Sequence, residues 1–394
     1  MSTLKVDAIR HNSATSDAIT TAADGTCTAR ITGITGGGGL SHRNIIINGA
    51  MRVAQRASSS TTNGYGDLDR WKHEYAGTDE NPTFAQVALT TSDTPYTLGL
   101  TKTFKLTNGN QTSGLQSNSL INFNQQIEAQ NIRNSGWNYT SSSSYITLSF
   151  WVRASVEQNY HGFVKTADGT NYIYPYETGT LSANTWTKIT KSIPGNSNLT
   201  INDDSGSGFQ VFPIFFGGAN YTSSSVTNDA WANWSGGSGR SKDQANSWFT
   251  TNDATLEITG VQLEVGNTAT SFEHRSFDDE LRRCQRYYYR IEHDPAYSEI
   301  TVGTMHQNGA YGVCTLQNPV PMRTKPSITV PTVTDAYSFY YKGTVNRSNT
   351  ISLSGNADNL FIELSHTNYS ATDGVAGILR ITNASAYIEV HSEL

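Results

Sequence analysis

Four aromatic side chains, Tyr221, Trp231, Trp234 and Trp248, stand in a stretch rich in Gly, Ser and Asn, with Asn220, Asn233, Lys242 and Asp243 close by. Such a set suits a saccharide. The apolar face of a sugar ring stacks on an aromatic face, while amides and charged groups take up its hydroxyls in paired hydrogen bonds. A second set, Tyr172, Tyr174 and Tyr176, shares one side of the chain if that stretch is extended, because alternate residues of a strand point the same way. Further on, Tyr337, Tyr340, Tyr341, His366, Asn368 and Tyr369 form a more diffuse third set, of which Tyr340, His366 and Tyr369 are candidate contacts. The competing reading of all three is structural, since large aromatics also fill cores, subunit contacts and cross-strand positions.

Other chemistries find less support. Asp203-Asp204-Ser205-Gly206-Ser207-Gly208 offers oxygen ligands and sharp-turn glycines for a structural calcium ion, with Asp203 and Asp204 as weak ligands, but the spacing of a dedicated calcium loop is missing and a turn is preferred. No cofactor is expected beyond that. Asp67, Asp69, Glu74 and Glu128 could include the paired carboxylates of a glycosidase, yet spacing along the chain places no two of them across a sugar. The histidines have no neighbouring nucleophile motif, and Gly36 to Gly39 are not followed by the Lys-Ser/Thr of a phosphate loop. Cys27, Cys284 and Cys314 are an odd number at wide spacing, which fits neither a disulfide framework nor a thiolate metal site. No catalytic residue is assigned.

The elements that would position these groups are strands. Charged residues are only 15% of the 394, and Ser, Thr, Asn and Gly dominate the rest with 10% aromatics; β-branched and aromatic side chains favour a pleated surface, whereas Ser and Asn compete for the helix backbone. A net charge of −6 with no basic stripe argues against nucleic acid. No apolar run approaches the roughly 20 residues that cross a bilayer, and Met1 to Arg10 lack the apolar centre of a signal peptide, so no membrane insertion or export by that route is expected.

Residues 1–40 hold two strand-like runs, around Leu4, Val6 and Ile9 and around Ile31, before the four glycines; so few apolar side chains build no core, so this peg is expected to pair outside itself. Residues 41–275 repeat short alternating runs between turn residues, the pattern of a jelly-roll-like antiparallel sandwich. In one of them Ile146, Leu148, Phe150 and Val152 share the expected core face. Residues 276–290 read as a junction helix, with Ser276 as N-cap, Asp278, Asp279 and Glu280 at the positive end of the dipole, and Phe277, Leu281, Cys284 and Tyr288 as the packing face. Residues 291–394 return to strands and read as a second, smaller β-sandwich, whose loops are the first candidates for a contact at the tip. The fold class is all-β.

Several stretches carry a resemblance. They include Ile47-Asn48-Gly49-Ala50-Met51-Arg52, Asp69-Arg70-Trp71, Gln126-Ile127-Glu128-Ala129, Leu148-Ser149-Phe150-Trp151-Val152-Arg153-Ala154, Gly260-Val261-Gln262-Leu263-Glu264-Val265-Gly266 and Cys284-Gln285-Arg286-Tyr287-Tyr288. Together they resemble the tail-fibre-like receptor-binding proteins of marine tailed phages, of cyanophage type, from Asn44 to about Tyr289. The resemblance implies a carbohydrate-binding-module-like sandwich in a homotrimer on the virion tail, made in the host cytoplasm. Its N-terminal segment (Leu4, Val6, Ile9, Ile31) would dock on tail or adaptor proteins and its loops would meet a host surface polysaccharide. A purely structural virion spacer is the alternative, and a polysaccharide depolymerase the less favoured one.

Overall fold

A computed structural model describes residues 6–10, 15–21, 23, 27–29, 42–234, 236–294, 299–306, 311–365 and 373–394. Strands take 43% of the chain and helices 6%, so the protein is all-β. In the N-terminal segment β1 (Ala8–Ile9), β2 (Ile19–Thr21) and β3 (Cys27–Ala29) form a small antiparallel sheet. Val6 and Ile9 are exposed there, while Leu4 and Ile31 lie outside the described residues.

Twelve strands follow: β4 (Ser59–Ser60), β5 (Lys72–Ala76), β6 (Thr83–Ala88), β7 (Lys102–Thr107), β8 (Leu120–Glu128), β9 (Tyr145–Ala154), β10 (Gln158–Thr166), β11 (Tyr172–Leu181), β12 (Thr187–Pro194), β13 (Ser207–Gly217), β14 (Ala232–Asn233) and β15 (Thr255–Val265). Short helices α1 (Thr94–Thr97), α2 (Ala129–Arg133) and α3 (Ser247–Thr250) lie in their connections. The strands make two six-stranded sheets, ordered β14-β11-β10-β13-β8-β5 and β12-β9-β15-β7-β6-β4. Each sheet turns one face inward, and on β9 that face is Ile146, Leu148, Phe150 and Val152, all fully buried, as the alternation predicts. Against them pack Ile121, Phe123 and Ile127 of β8 and the stacked pair Phe104 and Phe123, with ring centroids 4.1 Å apart.

The junction helix, α4 (Phe277–Gln285), is capped as expected: Ser276 Oγ accepts the Asp279 N–H at 3.1 Å. It is shorter than the expected 276–290, because Tyr288 to Glu292 are already strand β16, paired with the last strand, β25 (Tyr387–His391). Its packing face also differs. Phe277 is exposed, while Glu280 and Cys284 are buried, Glu280 taking N–H donors from Asn48 and Arg275. A carboxylate satisfied by two donors can sit where an apolar residue was expected.

The C-terminal unit adds β17 (Glu299–His306), β18 (Tyr311–Gln317), β19 (Ser327–Thr329), β20 (Tyr337–Tyr341), β21 (Thr344–Ser348), β22 (Ser352–Gly355), β23 (Asn359–Ser365) and β24 (Ala376–Ile381). A seven-stranded sheet, β21-β20-β24-β17-β18-β23-β22, faces the three-stranded β16-β25-β19 over a separate apolar core that includes Phe339, Leu360, Ile362, Leu379, Ile388 and Val390.

Candidate saccharide groove

The outward face of the sheet containing β8, β10 and β13 is not a plain polar surface. On β8 the inward residues Ile121, Phe123 and Ile127 alternate with outward Asn122, Asn124 and Gln126. On β13 the expected alternation breaks at Pro213, where the pairings to both neighbours carry one extra residue on this strand. A proline cannot donate to the ladder, and a bulge is where a central strand tolerates it. The extra residue turns both Phe212 and Phe215 outward, while Val211, Ile214 and Phe216 face the core. Phe212 stands opposite Phe163 of β10, ring centroids 4.1 Å apart, and Phe215 meets Phe163 edge-on at 5.4 Å.

One residue row further along, Lys165, Gln210 and Gln126 stand opposite one another across three strands, and Lys72 stands opposite Asn124. The amides are linked: Gln210 Nε2 donates to Gln126 Oε1 at 3.4 Å, Asn124 Nδ2 to Asn122 Oδ1 at 3.2 Å, and Asn122 Nδ2 to Glu74 Oε2 at 3.3 Å. The wall comes from the connection between β13 and β15. Its backbone is pinned by Trp234 N–H to Asn171 O (2.9 Å) and Arg240 N–H to Tyr221 O (2.9 Å). Gln244 secures its far end, donating to Phe215 O at 3.1 Å. Trp234 and Arg240 thereby stand over the aromatic floor. Lys165 Nζ lies 4.8 Å from the Trp234 ring centroid, and Arg240 Cζ lies 5.4 Å from it and 4.7 Å from that of Tyr221. The groove so enclosed has a volume of about 230 Å³ and is lined by Phe163, Phe212, Trp234, Asn124, Gln126, Gln210, Lys72, Lys165, Arg240 and Glu74. Burial pulls the Lys165 pKa down, with the Arg240 charge adding to it, and burial likewise lowers that of Arg240.

The expected aromatic sites divide. Trp234 lines the groove and Tyr221 flanks it beneath Arg240. Trp231 instead closes the sandwich edge, edge-on to Tyr174 at 5.3 Å with its indole N–H donated to Pro194 O at 2.7 Å. Trp248 is a correction: it is fully buried, stacked on Phe216 at 4.2 Å, and presents no face to a ligand. Tyr172, Tyr174 and Tyr176 do share a face, but it is the inward one. Tyr174 and Tyr176 are buried, Tyr172 packs at the core's margin, and the Tyr176 hydroxyl donates to Phe212 O and Pro213 O. Gly162 makes that approach possible, since a Cβ there would lie 2.6 Å from the Tyr176 oxygen.

Tyr340 is half-buried on the C-terminal sheet with Arg380 4.5 Å above its ring; His366 and Tyr369 lie outside the described residues. Asp203 and Asp204 lie in an exposed turn, accepting from Asn134 Nδ2 and Gly206 N, and among the described residues no group of three His, Cys, Asp or Glu could hold a metal ion.

No family model and no curated protein matches the chain. Solved structures do. The enzymatically active domain of tailspike protein 4 of bacteriophage CBA120 matches at 13% identity over 57% of this chain, with a TM-score of 0.30, and the match spans only 21% of the tailspike chain. A CBM4 structure matches at 13% identity over 56% of this chain and 98% of its own, with a TM-score of 0.28. The tripod from the baseplate of bacteriophage Tuc2009 matches at 13% identity over 86% and 91%, with a TM-score of 0.25.

Of the groove, sequence reading found Trp234 and Tyr221 and missed the floor. A signal for the floor was present: Asn122, Asn124 and Gln126 alternate with Ile121, Phe123 and Ile127, marking a sheet whose second face is amide-lined. The Pro213 bulge left no such mark. The carboxylates considered for hydrolysis do not converge on the groove. Asp67 pairs with buried His73 at 2.8 Å, Asp69 and Glu128 belong to the junction with the C-terminal unit, and Glu74 is the one carboxylate among the groove's described lining.

Proposed function

We propose that this chain is a saccharide-binding tail protein: the sandwich holds a glycan in the groove over β8, β10 and β13, and the protein attaches a virion to a host surface. The observation that carries the binding reading is the coincidence in one recess of the half-buried Trp234 ring, a row of linked amides and the Lys165 and Arg240 cations, over a buried Phe163–Phe212 base. Aromatic faces supply the stacking and amides supply the hydroxyl recognition that a polyhydroxylated ring needs. The attachment role rests on the sequence resemblance to tail-fibre-like proteins. Binding without cleavage is part of the proposal, because glycoside hydrolysis uses two carboxyl groups across the sugar and Glu74 is the one carboxylate among the described residues that line the groove.

Self-association as a homotrimer belongs to the same reading. Val345, Tyr340, Ile378 and Val302 stand opposite one another across β21, β20, β24 and β17, and Val302 is 72% exposed. A row of apolar side chains on a sheet, exposed at Val302 and Val345 and half-buried between them, is the kind of surface that a sister subunit covers. The N-terminal segment, with Val6 and Ile9 exposed, would make the contact to tail or adaptor proteins.

A glycan array probed with the full chain and with Trp234→Ala tests the binding. Retention of at least one saccharide class, lost in the variant at unchanged thermal stability, is the expected result. Absence of any saccharide signal, or a signal indifferent to the variant, removes the groove as the site.

A further inference from the structure

Charge in the groove does not balance. Lys72 is answered by Glu74, whose carboxylate lies 3.6 Å from the ammonium. Lys165 and Arg240 also feel the Glu74 charge, but neither forms an ion pair with a carboxylate among the described residues although both are half-buried, so three cations share one carboxylate in the groove. Acidic side chains are in surplus in this chain, 33 against 27 basic ones. Elsewhere the protein uses them to satisfy cations in comparable settings. Arg153 holds Asp93 at 2.7 Å and Glu257 at 2.9 Å, Arg275 lies 3.4 Å from both Glu273 and Glu280, and Arg286 holds Glu128 at 2.7 Å.

Two N–H donors of the same wall are also left over. Arg240 Nε and Trp234 Nε1 are both buried with no acceptor. Nε of the ion-paired Arg70 and Arg275 is left over in the same way, so these donors reflect the packing of the wall. Burial is the main reason that the Lys165 pKa is lowered; the Arg240 charge lowers it further and Glu74 offsets part of the effect. Both cations stack on Trp234, which holds them there without neutralising them.

We infer that the saccharide held in this groove is acidic, its carboxylate or sulfate seated between Lys165 and Arg240 while the ring rests against Trp234. The inference rests on the proposed saccharide reading of the groove and adds the charge of the ligand to it. An anion there lies between two cations that both stand on the Trp234 ring and adds the negative charge that Glu74 alone does not supply. Uronic acids and sulfated sugars share this chemistry. Arginine favours a planar, two-oxygen partner, which a carboxylate offers directly.

Affinity electrophoresis of the full chain tests it, in native gels containing polygalacturonate, dextran sulfate, or neutral dextran and mixed-linkage glucan. Retardation is expected in at least one of the two acidic gels, identifying the carboxylate or the sulfate as the source of charge, and it should weaken with added salt. Arg240→Gln and Lys165→Gln should each reduce that affinity at least tenfold, Arg240→Lys should retain part of it, and Lys188→Gln, an exposed cation of the opposite sheet, should change nothing. Unfolding midpoints of the variants separate loss of binding from loss of the wall. Retardation confined to neutral gels, or acidic retardation indifferent to both groove substitutions, overturns the acidic ligand and leaves the saccharide groove standing. No retardation in any gel removes both.

Discussion

The guanidinium of Arg70 stands over the ring of Tyr287, 3.5 Å from Cζ to the centroid, and joins the two halves of the protein. Arg70 belongs to the sandwich and its side chain is buried; Tyr287 directly precedes the first strand of the C-terminal unit. Beside them Arg56 repeats the arrangement over Tyr288, also at 3.5 Å, and both arginines converge on the Glu393 carboxylate. Glu128, at the end of β8, accepts from Arg286 and from the Tyr287 hydroxyl, and Arg323 reaches from the C-terminal unit to Ser205 O of the sandwich at 2.9 Å. The end of α4 and the strand after it are thus fixed to the same strand whose outward amides floor the groove.

Removing Arg70 leaves Glu393 with one cation and exposes the Tyr287 face inside a closed junction. Breaking one side of a buried ion pair costs about 3–5 kcal/mol. Arg70→Ala is expected to lower the midpoint of chemical unfolding accordingly, and to make the C-terminal strands more sensitive to proteolysis than the sandwich. An unchanged midpoint shows that the junction contributes little to holding the two units.

Asp69 gives the same junction a pH dependence. Burial pushes its pKa up from 3.8 to about 6, against the lowering effect of Arg56 and the Gln55 hydrogen bonds. The folded chain therefore holds this proton more tightly than the unfolded chain. The stability it contributes is complete below about pH 4 and is lost as pH rises through about 6, by roughly 2–3 kcal/mol. Asp69→Asn should flatten that part of the curve. Urea midpoints measured at intervals from pH 4 to 7 for both proteins check it, and parallel curves for the two refute it.

Trp234 and Trp248 should behave as opposites although both looked equivalent along the chain. Trp234→Ala is expected to weaken saccharide binding by about 1–2 kcal/mol through lost stacking, with little change in stability. Trp248→Ala removes a fully buried ring stacked on Phe216 and should cost about 3–5 kcal/mol of stability. Equal loss of stability in both would place Trp234 in the fold rather than in the groove.

Val302→Lys puts a charge at the most exposed position of the apolar row of the C-terminal sheet. Light scattering at micromolar concentration should return a trimer mass for the parent protein and a reduced mass for the variant, since a charge buried unpaired in a subunit contact is strongly disfavoured. A monomeric parent removes the trimer.

Alternation and turn chemistry in the sequence determined the all-β class, the inward face of β9, the Ser276 cap and a candidate aromatic cluster containing Trp234, because each depends on the spacing of near neighbours along one chain. Tertiary structure decided the rest. Whether Tyr174 and Tyr176 pointed inward depended on which side of their strand the opposite sheet lay, and Trp248 on where the short helix α3 docked, neither of which spacing encodes. The groove needed a bulge at Pro213 to turn Phe212 and Phe215 to the same face, and a distant connection to bring Arg240 over Lys165. The helix stopped early because Tyr288 found a partner strand about a hundred residues later, at His391. Contacts of that range are set by the whole fold, and the groove is made almost entirely of them.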